Sequence, residues 1–307
     1  MRGKIFVDGE AGTTGLGIVA RLRAQPGIVL ASLPVAARKD PEAKKAVMAE
    51  ADIVVLCLPD DAARETVALA ATLGPTGPRI LDASTAHRVA PGWVYGFPEL
   101  APGQADAIAS AQRVANPGCY ATGAIALLRP LVDAGLVPKD LAVAITAVSG
   151  YSGGGKAMIA AYESGTAPAF ETYGLDLDHK HLDEIQSYCR LETRPIFVPS
   201  VANFAQGMLV CVPLFLDQLP GTPHADAIEA ALETHYSAEG MVTVVSTRAE
   251  PSRIEPQALN GSDGLELRVY ANETHRQAVL VARLDNLGKG ASGAAVQNLA
   301  LMLAAQR

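Results

Sequence analysis

The first third of the chain alternates short apolar runs with helix-like stretches, and that rhythm constrains the fold more than any other feature. KIFVD (4–8) reads as a strand, followed by glycines and an amphipathic stretch ending near Arg23. IVLASLPVA (28–36) is a second strand, and PEAKKAVMAE (41–50) a helix with Pro41 suited to its first turn. ADIVVLCLP (51–59) is β-branched, unbroken and stopped by Pro59, as a buried strand should be. DDAARETVALAATL (60–73) reads as the next helix and RILDAS (79–84) as another strand. Alternation at this spacing builds βαβ units on a parallel sheet.

After Cys119 the texture changes. One helix is expected to run to about Asp133, and LAVAITAVSG (141–150) is a long strand ending in a glycine loop. Later strands (195–199, 207–216, 241–246, 265–271, 276–284) are joined mostly without helices, except near 223–236. That pattern predicts a mixed or antiparallel sheet with helices on one face. The fold class is therefore α/β: a Rossmann-like parallel-sheet domain followed by an α+β domain.

The chain's 307 residues suit two domains. Its net charge of -7 gives no general attraction to nucleic acid or acidic membranes. MRGKIFVDG lacks the apolar core of a signal peptide, and no apolar run approaches a membrane span. Cys57, Cys119, Cys189 and Cys211 form no CxxC pair, so reduced thiols and a cytoplasmic setting are expected.

VDGEAGTTGLG places Gly9, Gly12 and Gly15, with Thr13 and Thr14 between them, at the first strand–helix junction. Glycines there let the backbone approach a pyrophosphate, which a helix N-terminus stabilises. The spacing is GxxGxxG rather than GxGxxG, and by itself it fits a tight turn equally well. After the second strand comes AARKD, with Arg38 and Lys39 where a cofactor's 2′-phosphate could sit; Asp40 is better placed to cap the next helix. NADP(H) is the expected cofactor.

Cys119 follows Asn-Pro-Gly and opens an apolar helix. Backbone N–H groups at a helix start favour a thiolate and could hold an oxyanion. Cys57 and Cys211 lie in apolar strands and Cys189 at a helix end, so these three read as structural. A thiolate needs a proton-transfer partner, and DLDHKHLDEIQSYC (176–189) offers His179 and His181, with Asp178 as a helix cap. On a helix His181 shares a face with Glu184, Ile185 and Tyr188, while His179 lies further round. An i, i+2 pair converges poorly on one metal, so no metal is expected. DASTAHRV (82–89) puts Ser84 and Arg88 beyond a strand end, where open α/β sheets bind ligands. SGYSGGGK (149–156) is a second glycine loop ending in Lys156.

Taken together, GEAGTTG, YGFPEL (95–100), NPGCYATG (116–123), SGYSGGGK, HKHLDEI and DNLGKGASGAAVQN (285–298) resemble the N-acetyl-gamma-glutamyl-phosphate reductases, in motif order from about residue 4 to 302. The resemblance is to the shorter form of that family, related in fold to aspartate-semialdehyde and glyceraldehyde-phosphate dehydrogenases. It implies an NADP-binding domain of residues 1–118 completed by the helix 286–307, and a catalytic and oligomerisation domain of 119–285. Cys119 is the implied nucleophile, with acid–base help from His181 or His179. Expected substrate contacts are Arg88, Ser84, Asn116, Lys156 and Glu184. Expected cofactor contacts are Gly9, Gly12, Thr13, Thr14, Gly15, Arg38, Lys39, Pro59, Ser152, Gly153 and Asn286. The implied reaction is NADPH-dependent reduction of N-acetylglutamyl 5-phosphate through a cysteine thioester, in arginine biosynthesis, by a homodimer or homotetramer. Two departures stand out: DASTAHR replaces a DLSADFR-like segment, and Ala121 stands where many members have proline. The rivals are a related reductase acting on an aminoadipate derivative or aspartyl phosphate, and a non-catalytic NADP sensor.

Overall fold

Along β1 (Gly3–Asp8), Ile5 and Val7 point to one side and Phe6 to the other, and all three are buried. A strand buried on both faces must be covered twice. The computed structural model, which describes residues 1–236, 240–248 and 252–304, supplies both covers. After β1 come α1 (Thr13–Arg23), β2 (Ile28–Ala31), α2 (Pro41–Ala49), β3 (Ile53–Leu56), α3 (Asp60–Ala71), β4 (Arg79–Asp82), β5 (Val94–Tyr95), α4 (Gln104–Ser110) and β6 (Arg113–Ala115). The six strands form one sheet, in the order β2-β1-β3-β4-β6-β5, and every pairing is parallel. On one face Ile5, Val7, Ile53, Val55 and Leu81 pack with Ile18 and Leu22 of α1, Ile108 of α4, and Leu299 and Met302 of the last helix (Gly293–Ala304). On the other, Phe6, Val54, Leu56 and Ile80 pack with Met48 of α2 and Ala63 and Ala70 of α3. Arg79 ties this unit together: its buried guanidinium donates to Ala109 O (2.7 Å), Ala111 O (2.8 Å) and Met302 O, backbone oxygens at the ends of two helices.

The second sheet belongs to a separate unit. It begins with α5 (Cys119–Asp133) and continues through β7 (Ala144–Gly150), α6 (Gly155–Glu163), β8 (Phe170–Thr172), α7 (Leu182–Tyr188), β9 (Ile196–Ala202), β10 (Met208–Phe215), α8 (Ala225–His235), β11 (Val242–Val244), β12 (Leu265–Asn272) and β13 (Gln277–Leu284). Strand order is β11-β12-β13-β10-β7-β9-β8, mixed in direction. Helix α5 lies against its centre, where Gly123 lets the helix approach Val210 and Ala282. The opposite face keeps Ile196 (53% exposed), Phe215 (57%) and Val279 (39%) in the open.

The two units are Met1–Pro98, Pro102–Pro117 with Ala291–Arg307, and Glu99–Ala101 with Gly118–Gly290. The expected boundaries were 118/119 and 285/286; the contacts divide the chain one residue earlier at the first and five later at the second, so Asn286 falls in the second unit. Of the expected helix 286–307, residues 288–292 form a π-helical turn that runs into the α-helix 293–304, and 305–307 lie outside the described residues. The expected strand 28–36 ends at Ala31: Pro34 has no N–H to donate, and Val35–Ala37 form a 3₁₀ turn. Helix α6, which directly follows the second glycine loop, was not anticipated.

Candidate active site

In the first unit the chain leaves β1 toward β2 on one side and β3 toward β4 on the other, so the strand order reverses at the carboxyl ends of β1 and β3. Open α/β sheets bind ligands at such a point. The glycine loop fits a phosphate group there. Gly9 has φ of 88°, and a Cβ on it would stand 2.2 Å from Cys57 O; one on Gly15 would stand 2.3 Å from Gly9 O. Any side chain at either would close the turn. Gly12 is the N-cap of α1 and brings no side-chain acceptor to its first turn, formed by the half-buried Thr13 and Thr14. Pro59 is exposed as the N-cap of α3. Asp40 does cap α2, accepting from Glu42 N–H (3.0 Å). Lys39 is exposed, and Arg38 pairs with Glu10 of the glycine loop.

Beyond β4, the fully buried Asp82 folds the next loop around itself. Its carboxylate accepts from Ser84 N–H (2.9 Å) and Ser84 Oγ (2.7 Å), and meets His87 Nδ1 at 2.6 Å. His87 stacks on Trp93, ring centroids 4.2 Å apart. Ser84 thus shapes the loop with its hydroxyl. Arg88, buried at the end of that loop, donates Nε–H to Asn116 O (3.1 Å). The Asn116 amide is itself bonded on both sides, giving to Ala291 O (3.1 Å) and accepting from Asn298 Nδ2 (3.1 Å). Asp82 and His87 were not singled out from the sequence. The signal was an acid at a strand end with donors two and five residues on.

Cys119 is the first residue of α5, half-buried, with Gly118 as N-cap and no side chain of that residue closing the turn. Gly118 N–H donates to Glu184 Oε2 (3.1 Å), and the other oxygen of Glu184 lies 4.0 Å from His181 Nε2. Both His181 and Glu184 are buried. One carboxylate therefore fixes the residue before the thiol and sets a negative charge where an imidazolium would form. Gly290 packs against Cys119 itself: a Cβ there would stand 2.9 Å from Cys119 Cβ. His179 and His181 meet edge-on at 4.7 Å, among Tyr120, Tyr173 and Phe197. Tyr173 Oη donates to Tyr120 Oη (3.2 Å), which donates to Ser200 O (3.0 Å). Burial, reinforced by the neighbouring Cys119, pushes the Tyr120 phenol far up and Tyr173 to about 12.

The expected helix over the HKH segment is corrected here. Helix α7 begins at Leu182 with His181 as its N-cap, and His179 precedes it. The turn reverses at Leu177 (φ 58°), and His179 Nδ1 accepts from His181 N–H (3.1 Å). Asp178 caps nothing; it pairs with Arg194 (2.9 Å). The two histidines are thus distinguished by backbone position rather than by angle round a helix.

Asn286 and Ser152, expected cofactor contacts, are bonded to each other within the second unit. Asn286 Nδ2 donates to Ser152 Oγ (3.0 Å), and Asn286 Oδ1 accepts from Gly207 N–H (2.9 Å). Gly153 stands exposed beside this pair, and Lys156 is exposed on the first turn of α6. Lys289, within the DNLGKGASG segment, was not among the expected site residues. It is almost fully buried and donates to both oxygens of Glu99 (2.9 and 2.8 Å), while burial lowers its pKa. Among the described residues no three His, Cys, Asp or Glu side chains gather as a metal site requires.

Residues 119–286 match the family described as "Semialdehyde dehydrogenase, dimerisation domain", and 35–109 match "Semialdehyde dehydrogenase, NAD binding domain". The N-acetyl-gamma-glutamyl-phosphate reductase of Brucella ovis is 52% identical over 99% of each chain. In fold the chain is similar to aspartate semialdehyde dehydrogenase II of Vibrio cholerae (TM-score 0.72, 16% identity, 99% of each chain). It is also similar to the Candida albicans aspartate semialdehyde dehydrogenase solved with NADP (TM-score 0.68, 15% identity, 100% and 99% of the two chains).

Two outcomes follow from this geometry. Burial raises Cys57 to about 12 and also raises Cys189 and Cys211, so these three stay protonated at pH 8. Iodoacetamide at pH 8 should modify Cys119 first, as read by peptide mass; equal labelling of all four would refute its special setting. Glu184→Ala should strand the Gly118 N–H, costing about 1–3 kcal/mol in urea unfolding. Glu184→Gln should restore that stability but not kcat, because the amide accepts the bond without the charge. Full activity in Glu184→Gln would show that the charge is idle.

Proposed function

The chain belongs to the N-acetyl-gamma-glutamyl-phosphate reductase family, and from that premise we propose that it reduces N-acetylglutamyl 5-phosphate to the 5-semialdehyde with NADPH, releasing phosphate, as a step of arginine biosynthesis. The observation that carries this reading is Cys119 at the mouth of α5, with Gly118 and His181 both addressed by Glu184.

The proposed chemistry is as follows. Cys119 Sγ, as thiolate, attacks the acyl carbon; the carbonyl re-forms and the carbon–oxygen bond to phosphate breaks, leaving a thioester. Arg88 and Lys156 are the proposed contacts for the phosphate's charge. When bound, the nicotinamide cofactor supplies the hydride that reduces the thioester carbon. The resulting thiohemiacetal takes a proton on oxygen, then collapses to aldehyde and thiol, and His181 is the group we assign to move these protons. His179 orients it, through the bond its ring accepts from His181 N–H. Tyr120 and Tyr173 stay protonated at working pH, so they act as hydrogen-bond donors and not as bases. Gly9, Gly12, Thr13, Thr14, Gly15 and Pro59 are the proposed cofactor cradle, with Ser152, Gly153 and Asn286 as further contacts. Arg38 and Lys39 favour the phosphorylated cofactor over NAD, in keeping with the NADP bound by the Candida albicans protein. A cytoplasmic setting suits such a step; among the described residues no helix is long and apolar enough to cross a membrane.

Oligomerisation is proposed through the uncovered face of the second sheet. Strand alternation puts Ile196, Pro213, Phe215 and Val279 on that one side, and all four are exposed. A second copy is the partner this surface fits, because the same segment matches a dimerisation domain.

The chemistry is tested in reverse, by NADPH formation from N-acetylglutamate semialdehyde and phosphate, with aspartate semialdehyde in parallel. Phosphate-dependent activity with the acetylated aldehyde alone is expected, and Cys119→Ser should abolish it while NADPH still binds. Activity with the other aldehyde alone would move the substrate assignment, and activity with neither would leave the sensor as the better reading. For the interface, Phe215→Lys should shift the protein toward monomer in sedimentation; an unchanged assembly would discard this face.

A further inference from the structure

Arg38, the side chain read as the partner of a 2′-phosphate, already holds an anion. Its guanidinium is paired with the carboxylate of Glu10, which stands inside the glycine loop directly after Gly9. The pair is half-open to solvent, with side-chain exposures of 37% and 24%. Arg38 is steadied from behind, Nε–H facing Leu33 O at 3.5 Å. Glu10 also lines a cavity of about 420 Å³ with Val7, Val19, Arg23, Leu30 and Ser32, at the edge formed by α1 and β2. That is the side of a doubly wound sheet where the second strand meets the adenosine ribose.

An acid near the end of the second strand ordinarily receives the 2′- and 3′-hydroxyls of an unphosphorylated ribose. Here Asp40 uses Oδ1 to cap α2 through Glu42 and Ala43 and does not line this cavity. Asp8 is buried and paired with Lys44 at 2.7 Å. Glu10 is the carboxylate that lines this cavity among the described residues. It is therefore placed to accept from a bare ribose, and it is the counter-ion of Arg38.

We propose that Glu10 is a specificity-determining residue for the cofactor's 2′ position, occupying Arg38 until a 2′-phosphate displaces it. The phosphate, carrying up to two negative charges, outcompetes a single carboxylate for the guanidinium. Displacement weakens the phosphorylated cofactor's binding by the strength of the internal pair. An unphosphorylated cofactor leaves the pair intact and can use the same carboxylate. Glu10 thus narrows a preference that Arg38 creates. This inference rests on the reading of Arg38 as the phosphate's partner.

The test measures binding of 2′,5′-ADP and 5′-ADP to the full chain by calorimetry, for wild type, Glu10→Gln and Arg38→Ala. Glu10→Gln should tighten 2′,5′-ADP about two- to fivefold, the size of an exposed ion pair, and leave 5′-ADP equal or weaker. Arg38→Ala should remove most of the preference for the 2′-phosphate. If Arg38→Ala has that effect and Glu10→Gln changes nothing, Glu10 is excluded while Arg38 stands. If Arg38→Ala leaves the preference intact, both readings fall. Tightening of both nucleotides alike in Glu10→Gln would also overturn the proposal, because relief of general repulsion makes no distinction at the 2′ position.

Discussion

Glu184 is the carboxylate on which the start of α5 depends. It is buried, yet one oxygen faces Gly118 N–H, 66 residues earlier in the chain, and the other the His181 ring. Burying a carboxylate is costly unless donors meet it, so its place is fixed by those partners. The start of α5 is held in turn, and with it the residue carrying the thiol. Gly290, packed on Cys119 Cβ, limits that side chain from another direction. The thiol is thereby held by backbone on one side and by a charge relation on the other.

Much of this was legible from the sequence because it follows from local pattern. The parallel sheet could be read from β-branched runs at βα spacing, and Cys119 as the first residue of a helix from Pro117-Gly118 before a small, apolar stretch. Asp40 as a cap and Pro41 in a first turn are likewise decided within a few residues. The failures share a cause. The helix over the HKH segment starts three residues later than its composition suggests, because His179 receives the His181 N–H and Asp178 answers Arg194 from a distant segment. Strand β2 ends early for a local reason, Pro34, that was on view and underweighted.

What the sequence could not reveal is which polar groups serve the fold. Ser84, Asn116 and Asn286 sit in glycine-rich or strand-end segments, where the sequence suggests ligand contacts without showing the bonds the same groups make within the fold. In the folded chain Ser84 braces Asp82, Asn116 links Ala291 to Asn298, and Asn286 joins Ser152 to Gly207. Lys289 went unnoticed because a buried lysine is recognisable only once Glu99 is placed beneath it, and 190 residues separate them. The motifs of this chain therefore serve its internal bonding.

The partition of the chain has a further consequence. The polypeptide passes between the two units four times, after residues 98, 101, 117 and 290. One face of the parallel sheet is completed by Ala295, Leu299, Met302 and Leu303, from a helix that follows the whole second unit along the chain. Until those residues leave the ribosome, Ile5, Ile18 and Leu22 lack part of their cover, so the unit whose strands are made first is finished last. The parallel-sheet unit is thus assembled from segments that lie on both sides of the second unit in the sequence, and a break within the chain separates one of its layers from the rest.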